Sequence, residues 1–127
     1  YWMGEYDGRA PNGFTSGQRA CLLGVASFMS AVYGPLTEAQ AYAILSSGSP
    51  QPGPLVSQQL LAAWLNFANG SYDLATPVDT NGDWKTDSTF GAAMARAEAV
   101  YNNPASTRDQ LQSQVDVLLR FNVRDGG

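Results

Sequence analysis

The 127-residue sequence has no histidine. That absence removes Ser-His-Asp and Cys-His nucleophile activation, the imidazole general base and every His-containing zinc site. A single cysteine, Cys21, leaves no internal disulfide and no thiolate cluster. Its setting, Ala20-Cys21-Leu22-Leu23, reads as that of a small buried hydrophobe, with an intermolecular bond as the alternative. Charge is scarce as well, at 14% of residues against roughly 25% in an ordinary soluble domain. The net charge is −4, the pI about 4.4, and the seven basic residues are scattered. Phosphate neutralisation needs a basic footprint, so nucleic acid is not an expected partner. The longest mainly apolar stretch, Ala20 to Tyr33, is broken by Gly24, Ser27 and Ser30 and falls short of the roughly 20 residues of a membrane span. A soluble domain without membrane insertion is expected. No charged segment leads into an apolar run at Tyr1, so a signal peptide already removed, or an excised domain, is expected.

The chain does have helix punctuation. Thr15-Ser16-Gly17-Gln18, Thr37-Glu38-Ala39-Gln40 and Thr107-Arg108-Asp109-Gln110 each match the capping box, in which a Thr side chain and a Gln three residues later satisfy each other's backbone N–H. The first predicts a helix from Ser16 to about Val32, apolar nearly all round between Ala20 and Tyr33 and therefore buried and central. The second opens a short helix to Leu45 with Ala41, Ile44 and Leu45 inward. Ser46 to Pro54, with three prolines and two glycines, reads as a loop. Leu55 to Asn69 follows as a wide apolar helix carrying Leu60, Leu61, Trp64, Leu65, Phe67 and Ala68, stopped by Asn69-Gly70. Asn69-Gly70-Ser71 is also a glycosylation sequon. Ser88 to Tyr101 spaces Phe90, Met94, Ala97 and Tyr101 three or four apart, and the last helix presents Leu111, Val115, Leu118 and Phe121 or Asn122.

Tyr1 to Gly13 is aromatic and glycine-rich without helical periodicity. Tyr1, Trp2 and Tyr6 are expected to tuck onto the helices, with a sugar or partner platform as the alternative use of these rings. Strand signals are nearly absent. The expected fold is all-α, a compact bundle of about five helices with an irregular aromatic N-terminal segment and the first and third long helices at its centre. One domain spans residues 1–127, with three helices within 14–70, a loop over 71–87 and two helices within 88–123.

That loop holds the most specific pattern. Asp79, Asn81 and Asp83 fill the first, third and fifth positions of the calcium-loop pattern D-x-[DN]-x-[DN]-G. Lys85 would supply its backbone carbonyl at the seventh position. Asp87 fills the ninth, where it is also placed to cap the next helix. Alternating oxygen donors suit a hard cation, and calcium takes six to eight of them at roughly 2.3–2.6 Å. Trp84 stands where a glycine usually makes the sharp turn, and a left-handed conformation there costs about 1–2 kcal/mol. Phe90 replaces the bidentate Glu of the twelfth position, so a further donor is sought among Asp73, Asp116 and Glu98. The competing reading is an empty turn, since Asp, Asn and Gly favour turns in any case.

The stretch Leu60-Leu61-Ala62-Ala63-Trp64-Leu65-Asn66-Phe67-Ala68-Asn69-Gly70, then Asp79 to Asp83, then Phe90-Gly91-Ala92-Ala93-Met94, resembles helical modules of secreted bacterial surface proteins with a dockerin-like or EF-hand-like calcium loop. The likeness runs from about Leu60 to Phe121. It implies an extracellular or cell-surface, calcium-stabilised building block that is not an enzyme. On this reading the expected partners are copies of itself or neighbouring surface-protein domains, and low charge suits assembly into a fibre. A dockerin-like recognition module is the alternative, although only one loop–helix unit is found where two are usual. A hydrolase using paired carboxylates is the third class; no pair of acids is singled out by its context.

Overall fold

The computed structural model describes Trp2, Tyr6 and residues 15–124. Among the described residues five helices account for most of the fold: α1 (Ser16–Met29), α2 (Glu38–Leu45), α3 (Pro52–Ala68), α4 (Phe90–Asn102) and α5 (Arg108–Arg124). Two short strands, β1 (Pro77–Val78) and β2 (Ser88–Thr89), pair antiparallel with Pro77 opposite Thr89 and Val78 opposite Ser88. The mostly helical class agrees with the sequence reading, and the small ladder is an addition to it. No helix among the described residues is long and apolar enough to cross a membrane.

All three capping boxes form. Thr15 Oγ1 accepts from the Gln18 N–H at 3.1 Å while Gln18 Oε1 accepts from the Thr15 N–H at 2.8 Å, and the Thr37–Gln40 and Thr107–Gln110 pairs repeat the exchange. A cap of this kind is worth about 1 kcal/mol. Helix α3 begins at Pro52, three residues earlier than expected. Proline is tolerated there because the first helical N–H has no intrahelical partner anyway. The same helix stops as the Asn-Gly pair predicts. Gly70 is left-handed at φ 88°, its N–H reaches Phe67 O at 3.0 Å, and the Ser71 N–H reaches Asn66 O at 2.9 Å. Those two bonds form a Schellman motif.

The centre of the molecule is α3 rather than α1. Val56, Leu60, Leu61, Ala63, Trp64 and Leu65 are all buried, and α3 contacts every other helix, α5 most extensively. Helix α1 buries Leu22, Leu23 and Ala26 against α3, but Cys21, Gly24 and Phe28 are exposed, Phe28 to 88%. Cys21 is therefore not a core residue. A helix apolar on all sides carries no periodic signal of which face turns inward, and α1 packs on one side only. Trp2 and Tyr6 are buried as expected, in helical backbone, so neither ring is a surface platform; Tyr1 lies outside the described residues.

Aromatic rings gather where α3, α4 and α5 meet. Phe90 is fully buried, stacked on Tyr72 at 4.6 Å between centroids and edge-on to Trp64 at 5.8 Å, with Phe121 at 5.9 Å. Gly91 lets α4 approach closely, because a Cβ there would stand 3.1 Å from Leu74 O.

Buried polar groups fasten the apolar layers together. The Trp2 indole donates to Asn66 Oδ1 at 2.7 Å, and Tyr72 Oη donates to Phe121 O at 3.0 Å. Glu98 accepts from Trp64 Nε1 at 3.2 Å, from the Ala31 N–H and from the Ser30 hydroxyl, joining α4 to α3 and to the end of α1. Tyr33 donates to the Ser57 carbonyl, and burial, only partly offset by its hydrogen bonding to Ser57, pushes its phenol well above the usual range.

Candidate functional site

The 79–87 loop leaves β1 and returns through β2, which fixes its two ends side by side: the Asp87 N–H donates to Val78 O at 2.9 Å. Between those ends the backbone is organised by side-chain oxygens. Asp79, 7% exposed, accepts through Oδ1 from the N–H groups of Asn81 at 3.0 Å and Gly82 at 2.8 Å. Its Oδ2 accepts from Trp84 N–H at 2.8 Å. Asn81 Oδ1 takes the Asp83 N–H at 3.1 Å, and Asp83 Oδ1 takes the Lys85 N–H at 2.9 Å. The alternation legible in the sequence is thus a ladder of Asx turns, each oxygen holding the backbone ahead of it.

Two residues of this loop have left-handed backbones, Gly82 at φ 82° and Trp84 at φ 67°. Glycine meets that demand without cost. Trp84, in the sixth position, adopts the strained conformation expected for it, and the Asp79 carboxylate holds it there.

Electrostatics centre on Asp79. Burial opposes its charged form, but the N–H groups of Trp84, Gly82 and Asn81 and the nearby Arg120 guanidinium outweigh that penalty. Its carboxyl is held below the ordinary carboxylate range. Arg120 comes from α5, donates to Thr80 O at 2.8 Å and lies over Gly82, where a Cβ would stand 3.2 Å from its Nη2. This contact ties the loop to α5 and was not legible in the sequence, since it joins residues forty positions apart.

The other predicted donors divide. Asp87 turns across the loop, its Oδ1 accepting from the Thr80 N–H at 3.0 Å and Thr80 Oγ1 at 2.8 Å. It does not cap α4; Thr89 does, accepting from the Ala92 N–H at 3.3 Å. Of the three residues considered for the missing ligand, Glu98 is committed to Trp64 and the end of α1. Asp73 closes its own turn with Ala75 and Thr76, and Asp116 pairs with Gln112. Among the described residues no three acidic side chains converge on one point. As a donor set, three carboxylates, one amide and a backbone carbonyl are hard oxygens suited to calcium. Asp79 stands at the base, whereas Asn81, Asp83, Lys85 and Asp87 are exposed and face solvent on the rim.

Beside the loop lies a cleft of about 510 Å³ between the loop and α5, bounded by Trp84, Asp79, Thr86, Ser71, Arg120 and Phe121. The Trp84 ring on its wall is 78% exposed. Comparison with known proteins finds no matching family model, no matching curated protein and no matching solved structure.

Proposed function

We propose that the chain is a non-enzymatic extracellular or cell-surface module whose 79–87 loop takes one calcium ion, and which assembles with copies of itself or with neighbouring surface-protein domains. The observation that supports the calcium reading is the Asp79 carboxylate, kept ionised at the base of a loop whose alternate oxygens already order its backbone. Asp79, Asn81, Asp83 and Asp87 would offer side-chain oxygens and Lys85 its carbonyl, and the ion would supply the positive charge that lets those oxygens draw together. Arg120 already supplies part of that charge, which favours modest affinity, in the range of about 10⁻⁴–10⁻³ M typical of extracellular modules. Binding to the folded state alone then adds about 0.4–1.4 kcal/mol at roughly millimolar calcium.

Assembly is supported by the outer face of α1. Phe28 stands out beside a depression of about 350 Å³ formed with Ala20, Gly24, Pro35 and Leu36, an apolar surface on a weakly charged molecule. Melting the protein in calcium and in chelator tests the first half of the reading, and an unchanged melting temperature would remove it. The double variant Asp79→Ala with Asp83→Ala should abolish the calcium response while retaining helical circular dichroism.

A further inference from the structure

Asp79 is 7% exposed, and a carboxylate sunk that far needs positive charge around it. The backbone N–H groups of Asn81, Gly82 and Trp84 supply partial charge. The full charge that acts on it, among the described residues, is the guanidinium of Arg120, which reaches the loop from α5. Arg120 donates to the Thr80 carbonyl at 2.8 Å and not to the carboxylate, so it serves Asp79 through its field. Gly82 gives it room, because a Cβ there would stand 3.2 Å from Nη2.

The side chain is fixed at its base. The next residue, Phe121, is buried beside Phe90 and takes the Tyr72 hydroxyl on its carbonyl. The head is less confined. Arg120, like Asp79, lines the cleft of about 510 Å³ between the loop and α5, which leaves space for the guanidinium to swing off the loop without unpacking the helix. Charge gives it a reason to do so. In the loop Asp79, Asp83 and Asp87 are only partly offset by Lys85. A calcium ion held by those residues alone would bring the loop to neutrality. The same ion with Arg120 still in place would leave the loop net positive.

We infer that Arg120 is the counter-cation of the calcium-free loop and an antagonist of calcium, so that loading the metal releases the guanidinium from Thr80 into the cleft. The inference rests on the calcium reading and adds to it the residue that sets the affinity.

The test titrates calcium into the intact chain and into its Arg120→Gln and Arg120→Lys variants by calorimetry, and melts each in chelator and in about 10 mM calcium. Arg120→Gln is expected to bind calcium about tenfold more tightly than the wild type. In chelator it should melt lower, having lost the charge beside Asp79, and calcium should raise its melting temperature by more than it raises that of the wild type. Arg120→Lys keeps the charge and should bind as the wild type does. In the wild-type chain itself, calcium should speed solvent exchange of the Arg120 guanidinium protons, followed by NMR. Calcium binding with that exchange unchanged overturns the inference, as does a wild type that binds while Arg120→Gln binds equally or less well; the calcium reading survives both results. Equal tightening by Arg120→Lys and Arg120→Gln also overturns it, since charge is then not the cause. If Arg120→Gln binds and the wild type does not, the antagonism is upheld and calcium is removed from the native function. No binding by any of the three chains at about 10 mM removes both readings.

Discussion

Two regions of this molecule meet at Phe90 and are held by opposite means. The aromatic cluster of Tyr72, Trp64, Phe90 and Phe121 is ordered chiefly by burial and ring packing. The 79–87 loop, which ends three residues before Phe90, is ordered by one carboxylate that gathers three backbone N–H groups. The first kind of order depends chiefly on volume. The second tolerates changes of volume and depends on a charge. Where a calcium loop would place its last ligand, this chain places a fully enclosed aromatic ring, so the loop closes on the core.

The sharpest way to test that contrast is to remove the ring. Phe90→Ala should cost about 3–5 kcal/mol in chemical denaturation, the range for deleting a buried aromatic side chain. A loss confined to the loop amides would contradict the picture of a shared core. Trp84→Gly should act in the opposite direction, raising stability by up to about 1 kcal/mol, because relief of the left-handed strain exceeds the greater freedom glycine gives the unfolded chain. A melting temperature that falls would mean that the contacts of the Trp84 side chain outweigh the strain of its backbone.

Acid separates the two regions by a further step. The Asp79 carboxyl titrates below its unfolded value of about 3.9, so its contribution is complete above that pH and fades as pH drops through the lower folded value. Hydrogen exchange of the Asn81, Gly82 and Trp84 amides should accelerate there while amides of α3 stay protected. Alkali should act elsewhere. The Tyr33 phenol, raised by burial, supports the contact with Ser57 fully below pH about 10 and loses that support as pH climbs toward its folded value. The smallest expected effect on stability is that of Phe28→Ser, within about 0.5 kcal/mol, since the side chain is already in water. Its readout is sedimentation, where a loss of association is expected.

What could be read from the sequence was local. Thr15, Thr37 and Thr107 declare their caps within four residues, Asn69-Gly70 declares a stop, and the alternation from Asp79 to Asp87 declares the turns and even the strain at Trp84. What could not be read was the sidedness of α1 and the buried polar joints. Cys21 and Phe28 look like core residues because every neighbour is apolar, and only packing on α3 decides which face is covered. Asn66, Glu98 and Arg120 sit at positions that a polar residue would ordinarily expose, and their partners Trp2, Ala31 and Thr80 lie 40 to 67 residues away. A helical period reports faces; it cannot report which polar residue on a face has found a distant mate. The empty-turn and metal readings of the loop share the same sequence signature for the same reason, since Asx turns order both.

Phe90 has one more consequence, for a chain placed under load. Only Ser88 and Thr89 separate the rim of the loop from the buried ring, and both are paired with β1. A pull on the loop therefore finds no slack to take up. It must shear a two-residue ladder and then draw an aromatic plug out of its socket, so the brittle point of the domain lies at this junction.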